Sequence, residues 1–256
     1  TTLFRSLFAR IYSPEEFGIF GVFLVIVSFI SMISNARYCL AVILPKDDQD
    51  AKNLVAISKI FTLIFTCIAA ILLIIFKSWV FRLLNAVILE DHLIEIILTA
   101  LIVGLSEPVI YYGMRMKQYK TLAIGMIVQC LILVIVRICM GYLGHTETGL
   151  MISYLAGYLF AYPYQLFKLK LQNVFSKDSG VYKNLSRLVS KYINFPKFSL
   201  FGDTLGSLIT GLPNLLLNKM FGTNFAGYYS MSDKVLGSPI FFITSSVGDV
   251  FKQEAS

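Results

Sequence analysis

Seven apolar runs, each about as long as a helix that crosses a bilayer, dominate the sequence. A helix needs roughly 20 residues to span the ~30 Å hydrocarbon core. The runs cover residues 17–36, 54–76, 93–112, 122–143, 150–167, 198–217 and 227–250. They lack the alternating polar positions of a membrane barrel strand, and unpaired backbone cannot lie in lipid, so each run predicts a helix. We therefore expect an all-α integral membrane protein.

The amino-acid composition also indicates that most of this chain lies in lipid. Hydrophobic residues make up 57% of the 256 positions and charged residues only 14%, with a mean hydropathy of +0.74. A soluble core of this length could not bury so much apolar surface. The four cysteines lack the spacing of a disulfide or metal motif: they are Cys39, Cys67, Cys130 and Cys139. We predict no cofactor, no metal site and no catalytic residue.

A short turn near the start of the chain is repeated near its end. Residues 10–20 are matched without a gap by residues 219–229, so that Gly18 and Gly227 lie 209 positions apart. In both places a polar turn with a glycine opens an apolar run, which indicates an internal duplication. Residues 1–9 are interpreted as the tail of a truncated first helix.

The duplication predicts a multi-span transporter with parallel six-helix lobes. Six helices separate the two copies of the turn, and an even number restores the same orientation. The chain is then a fragment that holds a remnant of helix 1 and helices 2 to 8. We predict an N-terminal lobe at 1–167, an inter-lobe linker at 168–197 and the start of a C-terminal lobe at 198–256.

The charges of the loops predict the orientation in the membrane. Loops 35–53, 115–120 and 168–197 together hold 13 Lys and Arg residues, whereas the loops on the other side hold 4. Cytoplasmic loops carry the excess of basic residues, so these three loops are predicted to be cytoplasmic. This bias accounts for most of the net charge of +7, and we therefore expect no nucleic-acid partner.

Six stretches, in order along the whole chain, carry a family resemblance. They are Ser13-Pro14-Glu15-Glu16-Phe17-Gly18, Arg37-Tyr38-Cys39-Leu40-Ala41-Val42-Ile43-Leu44-Pro45-Lys46-Asp47-Asp48, Arg115-Met116-Lys117-Gln118-Tyr119-Lys120, Phe195-Pro196-Lys197, Gly227-Tyr228-Tyr229-Ser230-Met231 through Pro239, and Val250-Phe251-Lys252-Gln253. The chain resembles the bacterial polysaccharide and O-antigen flippases, which belong to the multidrug, oligosaccharidyl-lipid and polysaccharide exporter superfamily. Two positions depart from the pattern: the family usually has an acidic residue at Cys39 and an arginine at Lys234.

The resemblance implies a carrier, not an enzyme. Such a flippase moves an undecaprenyl-pyrophosphate-linked oligosaccharide, the repeat unit of O-antigen, capsule or exopolysaccharide, across the bacterial inner membrane by alternating access. Its partners would be the lipid-linked oligosaccharide, the lipid bilayer, and polysaccharide polymerase or assembly proteins.

The resemblance also implies a cationic cavity, for which the sequence offers three residues. Arg5 on the helix 1 remnant and Lys234 on helix 8 would face a cleft between the lobes, with Arg37 at its cytoplasmic mouth. Fixed cations there would attract a pyrophosphate. As alternatives, Lys234 pairs with Asp233 or Asp203, and Arg37 is an ordinary anchor of the positive-inside kind.

Three carboxylates within or beside apolar runs are candidates for ion coupling, because charged side chains in lipid are costly and usually face a cavity or a partner. These are Asp233, Glu107 and Asp203. Glu107 precedes Pro108, where we expect a kink in the helix; a hydrogen-bonded packing carboxyl is the alternative. Arg137 is expected to pair with Glu107 across neighbouring antiparallel helices.

Two other functions compete with the flippase. A cation-coupled multidrug exporter of the same superfamily would favour a cavity dominated by carboxylates. A membrane polysaccharide polymerase or transferase would need a catalytic cluster in a large extracytoplasmic loop. The longest loop on that side, residues 77–91, offers no such cluster.

Overall fold

The computed structural model describes residues 11–172 and 181–233, and these ranges are helical with no strand. The predicted all-α membrane architecture is confirmed. The helices are α1 Pro14–Ser34, α2 Tyr38–Ala41, α3 Asp48–Leu83, α4 Leu93–Arg115, α5 Tyr119–Tyr142, α6 Thr146–Lys168, α7 Val181–Lys191 and α8 Leu200–Phe221. A 3-10 helix, Val87–His92, precedes α4, and a π-helical turn, Phe195–Ser199, precedes α8. Residues 223–233 are also helical.

Five of the described helical segments are long and apolar enough to cross a membrane, so the chain is a multi-pass membrane protein. They are Pro14–Ser34, Asp48–Leu83, Val87–Arg115, Tyr119–Tyr142 and Phe195–Phe221. Helix α6 is also 23 residues long, but four tyrosines lower its hydropathy. The predicted run at 227–250 is described only to residue 233, and the helix 1 remnant lies outside the described residues.

The helices extend beyond the apolar runs because polar residues cap them. Ser13 accepts a hydrogen bond from the Glu16 backbone, the Glu16 side chain accepts one from the Ser13 backbone, and Pro14 occupies the first turn. Such a capping box satisfies backbone donors that the helix leaves unpaired. Helix α3, capped by Asp47, has 36 residues, or ~54 Å at 1.5 Å per residue. The apolar run at 54–76 is therefore only its central part.

Two apolar cores hold the two ends of the bundle. One core lies at what we call the basic end, where residues 35–47, 116–118 and 169–172 connect helices. Its large buried side chains include Tyr38, Leu54, Ile57, Leu171 and Leu188. The core at the opposite end contains Tyr12, Phe20, Phe23, Phe81 and Leu150.

Helix α7, in the predicted linker, packs against the basic end. Leu188 is fully buried in the core there. The Tyr38 hydroxyl donates a hydrogen bond to the Val189 carbonyl at 3.2 Å, and Arg187 forms an ion pair with Asp50 at 2.9 Å. The linker helix is thus attached mainly by its apolar face. The lobe boundaries themselves stay a prediction.

The two copies of the repeated turn touch each other. A Cβ atom at Gly18 would overlap the carbonyl of Thr223, and one at Gly227 would overlap the carbonyl of Pro14. Thr223 follows Pro14 by 209 positions, the same spacing that separates the two glycines. The contact is therefore reciprocal, like the self-complementary interface of a two-fold dimer.

Replacing Leu188 by Ala should release α7, because losing a buried leucine side chain costs about 2–5 kcal/mol. Limited proteolysis of the purified full-length protein should then cut within 168–197 at least ten times faster. Arg187→Ala is the matched control, since an exposed ion pair contributes only ~0–1 kcal/mol. Equal cleavage rates for Leu188→Ala and the parent protein would contradict this attachment.

Candidate functional site

A polar cavity of about 560 Å³ lies between helices α1, α4, α6 and α8. Hydroxyl groups, one arginine and two carboxylates form much of its wall. Its lining residues are Ser28, Ser31, Met32, Arg37, Val103, Glu107, Tyr154, Tyr158, Gly202, Asp203, Gly206, Ser207 and Thr210. A polar cavity within a membrane-spanning bundle is a natural place for a hydrophilic ligand, since lipid offers such a ligand no hydrogen bonds.

A strained turn at the end of α1 presents Arg37 to this cavity. Ala36 and Arg37 both adopt left-handed backbone conformations, with φ of 47° and 57°. The Asn35 side chain supports the turn by accepting a hydrogen bond from the Arg37 backbone N–H at 2.8 Å. Non-glycine residues in this region cost on the order of 1–3 kcal/mol each and persist where the surroundings hold them. The position of Arg37 is therefore imposed by its neighbours.

Arg37 is one cation shared between two carboxylates. Its Nε lies 2.9 Å from Asp203 Oδ2 on α8, and its Nη1 lies 3.9 Å from Glu107 Oε2 on α4. Although Nε is buried, it has no hydrogen bond of good geometry within the described part of the chain. The guanidinium thus lies between carboxylates of α4 and α8, while its buried Nε donor stays without a hydrogen bond among the described residues.

Glu107 is held in place by two further groups. The Asn35 Nδ2 group donates a hydrogen bond to Glu107 Oε2, and the Cys39 sulfur lies 3.5 Å from the same oxygen. Burial, reinforced by the charge of Glu107, raises the pKa of the Cys39 thiol, so the thiol stays protonated and can donate. Cys39 stands where the family usually has an acidic residue, so it offers Arg37 no carboxylate. Arg37 instead lies beside Glu107 of α4 and Asp203 of α8.

The structure brings together three of the six predicted site residues: Arg37, Glu107 and Asp203. Asp233 lines a neighbouring cavity of about 580 Å³ together with Asn214 and Ser230. Arg5 and Lys234 lie outside the described residues, so their predicted roles stay predictions.

The predicted pairing of Arg137 with Glu107 is wrong. The Arg137 guanidinium donates a hydrogen bond to Ser153 at 3.2 Å and lies 5.3 Å from the centre of the Phe20 ring. Helices α4 and α5 are joined at residues 116–118, so the level of Glu107 in α4 corresponds to about residue 127 in α5. Arg137 lies about ten residues further along, a distance of ~15 Å.

Sequence reasoning missed the hydroxyl groups of the cavity wall. These are Ser28 and Ser31 on α1, Tyr154 and Tyr158 on α6, and Ser207 and Thr210 on α8. Their spacing of three or four residues places each pair on one face of its helix. Polar residues at helical spacing inside an apolar run were therefore the available signal, and on α8 they continue the face that begins at Asp203.

An apolar cleft of about 520 Å³ adjoins the polar cavity. It lies between α1, α3 and α8, and it shares Ser207 with the polar cavity. The other side chains that line it are all apolar: Val25, Ile26, Phe29, Ile30, Ala69, Leu72, Leu73, Phe76, Trp79, Val80, Leu84, Leu208 and Leu215. The polar cavity and the apolar cleft thus meet at Ser207 on α8.

Removing the guanidinium should destabilise the protein, because Glu107 and Asp203 would face each other without a cation. We expect Arg37→Ala to cost about 1–3 kcal/mol, less than a fully buried pair because these side chains are partly exposed. Adding Glu107→Gln should recover part of this loss, with a coupling of ~1 kcal/mol. Thermal unfolding in detergent measures both effects, and exposed Lys46→Ala is the control. Strictly additive effects would contradict the shared ion pair.

Comparison with known proteins places the whole site within one family. No curated protein and no solved structure matches the chain. A family model described as polysaccharide biosynthesis protein matches residues 7–256, a range that includes every residue lining the two cavities and the apolar cleft. This match confirms the predicted resemblance, since it is consistent with a polysaccharide or O-antigen flippase type of family. The chain belongs to the polysaccharide biosynthesis protein family.

Proposed function

We propose that this protein is a flippase that carries an undecaprenyl-pyrophosphate-linked oligosaccharide across the bacterial inner membrane by alternating access. One observation carries the proposal: an arginine, whose buried Nε has no hydrogen bond among the described residues, lies in a polar cavity inside a membrane protein of a polysaccharide biosynthesis family. The carrier performs no covalent chemistry. Loops 35–53, 115–120 and 168–197 would face the cytoplasm.

Arg37 suits the pyrophosphate of such a substrate. Its planar guanidinium can bind two phosphate oxygens at once. The contact with Glu107 is long, and the contact with Asp203 lacks hydrogen-bond geometry. A phosphate could therefore approach the guanidinium without first breaking a fully formed bidentate pair.

The remaining wall of the cavity suits a saccharide. Ser28 and Ser31 line the cavity together with hydroxyl residues of α8, and hydroxyl groups can both donate to and accept from a sugar. The rings of Tyr154 and Tyr158, 5.2 Å apart, offer apolar faces beside their hydroxyls. The adjoining apolar cleft matches the lipid end of the same molecule.

The two carboxylates give the cavity a place for ion coupling. With one arginine and two acids, the cluster of Arg37, Glu107 and Asp203 carries a net negative charge when both acids are ionised. A proton or a small cation would offset this charge while a pyrophosphate occupies Arg37. Asp233, in the neighbouring cavity, is a further candidate. Arg5 and Lys234 would add positive charge to the path between the lobes.

A cation-coupled multidrug exporter is the second candidate function. The observation in its favour is the same excess of carboxylates, because an amphipathic cation would bind between Glu107 and Asp203. The two functions differ in what Arg37 does: it binds the substrate of the flippase, whereas it would repel the substrate of the exporter.

Arg37→Ala in the full-length protein should reduce surface polysaccharide at least tenfold in cells that lack their own flippase. Arg37→Lys should keep partial function, because it retains the charge but loses the planar fork. Both variants are compared at equal protein level in the membrane, with Lys46→Ala as the basic control. Normal surface polysaccharide in Arg37→Ala would overturn the proposed role. Loss of cationic dye efflux in Glu107→Gln, with unchanged polysaccharide, would favour the exporter.

A further inference from the structure

We propose that the reciprocal contact between the repeated turns at Gly18 and Gly227 is a gate of the carrier. The gate closes the end of the bundle opposite the basic end, and it must separate before the polar cavity can open there. This inference rests on the proposed function, since alternating access requires each end to open in turn.

The contact is made by backbone atoms, and this is why both positions are glycine. A Cβ atom at Gly18 would overlap the Thr223 carbonyl and lie 3.1 Å from the Gly227 nitrogen. A Cβ atom at Gly227 would overlap the Pro14 carbonyl. Only a residue without a side chain lets two backbones approach this closely. Any larger residue would force the two turns apart.

A local two-fold axis relates the two sides of the contact. Three pairs obey the same spacing of 209 positions: Pro14 with Thr223, Gly18 with Gly227, and Gly21 with Ser230. In the last pair, a Cβ atom at Gly21 would lie 2.7 Å from the Ser230 hydroxyl. A contact built from equivalent surfaces opens when the two halves rotate away from their common axis. Rocking of one repeat against the other is a motion of this kind.

The contact stands between the polar cavity and the end of the bundle. Along α1, Gly21 is seven residues from Ser28, the nearest lining residue of the cavity on this helix, and Gly18 lies one turn further away. Seven residues of helix correspond to ~10 Å. A headgroup in the cavity could leave through this end only after the turns have separated.

Hydrogen bonds of two asparagines also join helices at the end of the bundle opposite the basic end. Asn218 at the end of α8 donates to the carbonyls of Leu84 and Asn85 at 2.6 and 3.1 Å, and the Asn85 side chain donates to the Asn218 carbonyl at 3.1 Å. These groups could exchange their partners for water when the end opens. Hydrogen bonds between amides and backbone therefore suit a reversible closure.

Two kinds of variant of the full-length protein test the gate: one should keep it open and the other should keep it closed. The four native cysteines are replaced, and a reporter cysteine is placed at Ser207 in the cavity. Gly227→Leu should hold the turns apart. Gly21→Cys with Ser230→Cys should hold them together, because a Cβ atom at Gly21 would lie 2.7 Å from the Ser230 hydroxyl oxygen, so that two thiols there could reach each other once the Asn214 amide moves aside. A thiol reagent that cannot cross the membrane is applied from the face opposite the basic end.

We expect Gly227→Leu to be labelled at least ten times faster than the parent, and the disulfide form at least ten times slower than its reduced form. Gly227→Ala replaces Gly227→Leu if the latter does not accumulate. Gly113→Ala, where the added Cβ atom meets Leu122 within the first lobe, should leave labelling unchanged. Labelling that responds to neither gate variant would show static packing and overturn the inference.

The labelling requires no saccharide, so it separates this inference from the proposed function. Shifted labelling in a protein that moves no lipid-linked saccharide would support the gate and overturn the flippase. Unshifted labelling in a protein that does move the saccharide would overturn the gate alone.

Discussion

One arginine between two carboxylates is the interaction on which the site depends. Burying a charge in a membrane protein is costly unless partners compensate it, and Arg37 finds Glu107 on α4 and Asp203 on α8. The backbone accepts two left-handed residues to place it there, and Asn35 holds both the turn and Glu107. The same ion pairs join helices that are distant in the sequence, so the charge cluster shapes the cavity as well as the chemistry of its wall.

The two ends of the bundle differ in how their parts are joined. Near the basic end, α1 and α8 meet through the Arg37–Asp203 ion pair, a contact that another anion could replace. At the opposite end, α1 meets the helical segment 223–233 by backbone contact at Gly18 and Gly227, and the amide of Asn218 joins α8 to the end of α3. The polar cavity lies between these two kinds of contact. This arrangement fits the carrier that we propose, which would bind an anion from one side while the other side stays closed.

Much of the fold could be predicted because lipid imposes simple rules on sequence. Apolar length alone predicted the helices, although their ends were missed where polar caps such as Ser13 and Asp47 extend them. The depth of side chains in the membrane was harder to predict: Arg137 and Glu107 lie on helices that are adjacent in the sequence but at different levels, and they do not pair. The ion pair between Arg37 and Asp203 joins residues 166 positions apart, and no local pattern shows that they meet.

The proposed transport can be measured most directly in proteoliposomes that contain the purified full-length protein. A fluorescent undecaprenyl-pyrophosphate-linked oligosaccharide is placed in one leaflet, and its arrival in the other is followed beside the uptake of a cationic dye. We expect the lipid-linked oligosaccharide to cross at least ten times faster than in protein-free liposomes, while dye uptake is unchanged. Dye transport without movement of the lipid-linked oligosaccharide would contradict the proposed function.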